Sequence, residues 1–181
     1  MNDKLIARHF QRALSGRVIV GNSPNAPNYL VSDGFLMFEL PNDHRTFDSR
    51  RNFPRFPDTG ETLVYSLVRL EARKNGMLTT RHLGEQRATP LILTPWLYRD
   101  SRSSASCVLL LPDNRQIYVD KQFMDLLGDV EMVNAIGYQF FGSSPSDAIS
   151  VRLGDSQVAV MMPRFISRDK KSLVQLPELP A

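Results

Sequence analysis

Asp33-Gly34 stands between two apolar runs, residues 29–32 and 35–40. Glycine takes the positive φ that a tight hairpin turn demands, so this pair dictates an antiparallel ladder near the N-terminus. The same punctuation recurs at Pro112-Asp113-Asn114-Arg115, between apolar runs 107–111 and 116–119, and at Gly154-Asp155, between 148–153 and 157–162. A chain interrupted this often has room for short strands and for helices of a few turns only.

The helical signals fit between these breaks. Asp3 can cap a helix that places Leu5, Ile6, Phe10, Ala13 and Leu14 on one side, with Gly16 to end it. A second helix is expected over 61–74, capped by Asp58 or Thr59, with Leu63, Val64, Leu67, Val68 and Leu70 on one face and Gly76 beyond its end. A third, short helix, capped by Asp120, is expected to place Phe123, Met124 and Leu127 on one face. Further strands are expected at 17–20, 77–81, 91–93 (ending in a turn at Pro95-Trp96) and 136–141, with loops at 41–60, 82–89 and 101–106.

This order implies an α+β fold. Residues 3–40 read helix, strand, strand, strand; residues 116–162 read strand, helix, strand, strand, strand. The pattern is that of two βαβββ-like halves in one domain, 1–166, with an insertion at about 41–115 and a flexible C-terminal tail, 167–181. At 181 residues the chain can bury a core without disulfides or metals, and its single cysteine, Cys107, allows no internal disulfide. No continuous apolar stretch approaches a membrane span, and residues 1–14 lack the core of a signal peptide, so a cytoplasmic protein without a membrane partner is expected.

Charge is unevenly spread. Residues 42–102 carry 11 basic against 7 acidic side chains, whereas 103–163 carry 3 against 7. The basic stretch contains Arg45 and the run Arg50-Arg51-Asn52-Phe53-Pro54-Arg55-Phe56, in which guanidinium groups alternate with rings. Arginine pairs with phosphate and phenylalanine stacks on bases, so Arg45, Arg50, Arg51, Phe53 and Arg55 form a candidate nucleic-acid-binding set. In the alternative reading, Phe53 and Phe56 pin the loop to the core and the arginines are solvated. The candidates for catalysis are sparse. His9, His44 and His82 lie far apart, Cys107 sits in an apolar run, and no nucleophile elbow or phosphate-binding loop is present. The acidic group Asp125, Asp129 and Glu131 reads as a solvated helix end. No catalytic residue, metal ligand or cofactor is expected on these grounds, although a site assembled from distant residues stays open.

Four segments carry a resemblance, the first being Val31-Ser32-Asp33-Gly34, which resembles a hairpin of a sliding-clamp domain. The run Ile117-Tyr118-Val119-Asp120-Lys121-Gln122-Phe123-Met124-Asp125-Leu126-Leu127 resembles the strand-then-helix element of bacterial sliding clamps, the beta subunit of DNA polymerase III. Tyr138-Gln139-Phe140-Phe141-Gly142 with Ser144-Pro145 is similar to a clamp strand and its turn, and Val158-Ala159-Val160-Met161-Met162-Pro163-Arg164-Phe165 to the closing strand. The resemblance implies a non-enzymatic, DNA-clamp-like domain acting in DNA metabolism, with DNA, replication or repair proteins and further copies of itself as partners. It also implies that Val160, Met162 and Pro163 belong to a peptide-binding surface. Arg164 stands where the family has methionine, and the chain has room for one clamp domain where family members have three, so a ring would need several copies. Two alternatives remain open: an oligomeric scaffold or protein-interaction domain without nucleic-acid binding, and an enzyme whose site the sequence hides.

Overall fold

The computed structural model describes residues 3–13, 16–22, 28–41, 56–65, 70–73, 89–99, 105–166 and 173–175. These form three helices and twelve strands, a mixed α+β architecture. None of the described helices is long and apolar enough to cross a membrane. The elements fall into two compact units, with residues 157–159 of β11 counted in the first and the rest of that strand in the second.

The first unit holds α1 (Asp3–Ala13), β1 (Val18–Asn22), β2 (Asn28–Ser32), β3 (Leu36–Pro41), β4 (Thr62–Tyr65) and β5 (Leu70–Arg73). The strand order is β5-β4-β1-β2-β3, and every neighbouring pair is antiparallel. Helix α1 buries Ile6 and Phe10, one turn apart, and the Phe10 ring meets the Phe38 ring of β3 edge-on at 6.3 Å. The Asp33-Gly34 hairpin forms as the sequence predicts, with Gly34 at φ 96°. Asp33 Oδ1 accepts from the backbone N–H of Phe35 and of Leu36, both at 2.8 Å, and Oδ2 lies 2.7 Å from Nε2 of His9 on α1. One carboxylate thus closes the hairpin and ties the helix to it.

The helix expected over 61–74 is replaced by β4 and β5. Asp58 and Thr59 begin a turn, not a cap. Glu61 N–H donates to the Asp58 carbonyl at 2.8 Å and Gly60 sits at φ 82°. All four residues of β4 are buried, so side chains on both faces of this strand are covered. An apolar run hidden on both faces shows no strand alternation, and its spacing matches a helix by accident. Where the chain enters β4, Asn22 holds it at three points. Its Nδ2 donates to the Pro57 carbonyl, its N–H to the Glu61 carbonyl, and its own carbonyl accepts from Gly60. The Phe56 ring meets Tyr29 edge-on at 5.0 Å, whereas Phe53 lies outside the described residues.

The second unit holds β6 (Thr89–Arg99), β7 (Ala105–Leu110), β8 (Gln116–Asp120), α2 (Lys121–Leu127), α3 (Val130–Ile136), β9 (Tyr138–Gly142), β10 (Ile149–Leu153), half of β11 (Ser156–Met161) and β12 (Leu173–Gln175). Its strands run β11-β10-β9-β6-β7-β8, with β12 added to β6. The 41–115 stretch, expected as an insertion between two halves, supplies four strands: β4 pairs with β1, and β6 and β7 pair with β9 and β8. Strand β6 does not stop at Pro95. A register shift between Leu93 and Leu97 lets it pass the proline, which has no N–H to give to a ladder. Thr94 braces the irregularity: its hydroxyl donates to the Val108 carbonyl at 2.8 Å and accepts from the Trp96 N–H at 3.2 Å.

Asp120 caps α2 as expected, accepting from the Gln122 N–H at 3.0 Å. Helix α3 was not foreseen. Asp129 is its N-cap, accepting from the Met132 N–H at 2.7 Å, and Glu131 lies in its first turn, where a carboxylate complements the helix dipole. Gly137, left-handed at φ 84°, ends it. A helical segment followed by three strands therefore occurs twice, as α1-β1-β2-β3 and α2-α3-β9-β10-β11.

Burial alone would raise the Asp33 carboxyl pKa, but the hydrogen bonds from His9, Phe35 and Leu36 outweigh burial and hold it below the ordinary 3.8. A depressed carboxyl contributes stability that is present above its unfolded value and is lost as pH falls through the folded value. Asp33→Asn should lower unfolding free energy near neutrality by about 1–2 kcal/mol, and the gap to wild type should close as denaturation is repeated below pH ~4. A gap that stays constant on acidification would contradict this role.

Candidate partner-docking groove

Strand β8 and the segment that leaves β11 build a groove of about 620 Å³ on the second unit. Its floor begins with the turn that joins β7 to β8. Asp113 accepts from the Arg115 N–H at 3.1 Å and from Arg115 Nε at 2.6 Å, while Asn114 takes φ 64°. Asparagine tolerates that left-handed geometry better than most side chains. These bonds, the backbone donor first, hold the exposed Asp113 carboxyl below its usual pKa.

After Met161 the chain turns across β8. The Arg164 N–H donates to the Tyr118 carbonyl at 2.7 Å, which pins residues 162–166 beside the strand. Arg164 Nη1 reaches the buried Ser106 hydroxyl of β7 at 3.4 Å. Behind the groove, Tyr98, Val108 and Tyr118 form a buried cluster against which Trp96, Leu110 and Ile166 pack. The Tyr98 and Tyr118 rings meet at 5.3 Å and 66°. Tyr118 also donates from its hydroxyl to Gln116 Oε1 at 2.5 Å. Burial, seconded by Tyr98, raises the Tyr118 phenol above its ordinary pKa of 10.

The groove mouth is apolar and cationic. Phe165 lines it and is 92% exposed, an unusual position for a phenylalanine. Arg115, Arg164 and Pro145 complete much of the wall. The sequence-derived peptide set falls at its edge: Met162 is 40% exposed, Pro163 is half-buried, and Val160 is buried in the core. Met162 and Pro163 lead straight into the lining residues Arg164, Phe165 and Ile166. The residues that sequence reasoning missed are Asn114, Arg115, Gln116 and Tyr118. The only signal for them was the turn chemistry at 112–115. Arg45, Arg50, Arg51, Phe53 and Arg55 lie outside the described residues.

Other candidates resolve into structure. His9 is bound to Asp33. Cys107 is buried in β7, and burial pushes its thiol up to about 11, which suppresses the thiolate. Lys121 and Asp125 pair across one turn of α2 at 2.5 Å. No group of three or more His, Cys, Asp or Glu side chains able to hold a metal occurs among the described residues.

The Tyr118 hydroxyl can be followed directly. Ultraviolet titration of wild type should show a phenol that ionises above the ordinary value of 10, and Tyr118→Phe should remove it. If the phenol lost in the variant is instead one that ionises at the ordinary value, the Tyr118 hydroxyl is solvated and the groove is not packed as described.

No protein-family model, curated protein or solved structure matches the chain.

Proposed function

We propose that the protein is a non-catalytic, clamp-like interaction domain of DNA metabolism that docks a short segment of a partner protein in the groove beside 162–166. The observation that carries this reading is Phe165, a large ring left in solvent at the mouth of an apolar groove whose backbone is hydrogen-bonded in place. Exposed aromatics over preformed grooves are the usual anchors of partner recognition. The sliding-clamp resemblance supports the same surface, since Met162 and Pro163 lead into it. The repeated order of a helical segment and three strands is compatible with that family's halves.

The docking arm is tested with an array of random hexapeptides screened against wild type and Phe165→Ala. Peptides selected by wild type should lose roughly tenfold or more in affinity on Phe165→Ala, the effect of a hot-spot aromatic. Equal binding by the variant, or no selection at all, would rule out the groove.

DNA contact is assigned to the arginine-rich stretch on its sequence alone. Binding to short single- and double-stranded DNA should weaken linearly in log K against log salt, and Arg50→Ala/Arg51→Ala/Arg55→Ala should flatten that slope. Absence of binding at low salt would remove DNA from the account and leave protein partners as the surviving reading.

A further inference from the structure

Strand β12 occupies an edge that another copy of the same strand can occupy equally well. Leu97 and Tyr98 of β6 face Cys107 and Ser106 of β7 in one ladder and Val174 and Leu173 of β12 in another. A strand residue has two edges, so β12 covers the edge that β7 leaves open. That cover is only three residues long, Leu173–Gln175, in antiparallel register with Trp96–Tyr98. The same stretch of sequence was expected to be a tail.

The bonds of a β ladder are made by backbone groups, so an edge accepts any extended chain of suitable register. A strand of three residues contributes few of them, so its hold in cis is weak compared with the 11-residue strand it joins. The strand whose fit to this edge is already displayed is β12 itself. We infer that the protein forms a dimer by exchanging β12, each copy placing Leu173–Gln175 on Trp96–Tyr98 of the other. Exchange reuses every contact of the closed form and needs no new surface, which makes it a low-cost route to a symmetric dimer. It also joins the second copy to the docking surface. Tyr98, paired with Leu173, meets the ring of Tyr118 edge-on, and Tyr118 lines the groove.

The test is sedimentation velocity of the full chain over a roughly hundredfold range of concentration, where mass action favours the exchanged form as concentration rises. Wild type should show a growing dimer fraction. Leu173→Pro/Val174→Pro should be monomeric throughout, because N–H groups alternate sides along a strand and two successive prolines must remove one that faces β6. A wild type that is monomeric at every concentration overturns exchange, as does a dimer that persists in the double proline variant. Should that variant fail to fold, Trp96→Cys/Gln175→Cys in a Cys107→Ala background serves instead. These positions are direct partners in the register, so oxidation at high concentration should yield a covalent dimer on a non-reducing gel. Only intrachain linkage, or none, overturns the inference.

Discussion

Strand β6 has to serve three neighbours, and the second unit depends on how it does so. Its first residues pair with β9, its last with β12, and β7 runs along it from Ile92 to Arg99. Pro95 lacks an N–H to give to the ladder and fixes its own φ. The register shift between Leu93 and Leu97 removes the conflict, and the Thr94 hydroxyl replaces part of what the ladder loses by bonding to both Val108 and Trp96. Beyond that shift, Trp96 and Tyr98 reach the cluster that backs the groove. The irregularity therefore links the sheet to the docking surface, and a bulge beside a site is a common means of aiming side chains.

The groove itself rests on a second long-range contact. Arg164 and Tyr118 lie 46 positions apart in the chain, and one backbone hydrogen bond of 2.7 Å sets the segment after β11 against β8. With Ile166 anchored in the aromatic cluster, the neighbouring Phe165 cannot turn into the same space and is left in solvent. Exposure of that ring is a consequence of how its neighbours are held, and it is the feature that a partner would exploit.

Local chemistry was legible in the sequence wherever one or two residues decide the backbone. Asp33-Gly34, the 112–115 turn, the Asp120 cap and the Phe10 face of α1 all follow from side-chain identity at a few positions. Reading failed where burial overrode local pattern. Thr62–Tyr65 is buried on both faces, so alternation vanished and a helix was expected. Helix α3 was overlooked because only Val133 of its seven residues is buried, although Asp129 and Gly137 framed it at both ends. Part of the docking surface was legible through Met162 and Pro163. The rest, Gln116 and Tyr118 above all, comes from a crossing between distant segments that no local pattern encodes.

The central claim is that a partner docks where β8 meets the segment after β11. Amide hydrogen exchange of the full chain, with and without a peptide selected by wild type, tests it most directly, because exchange reports protection segment by segment. The account predicts slowed exchange in 114–118 and 162–166 on peptide addition. Protection confined to other segments, with these two unchanged, would contradict it.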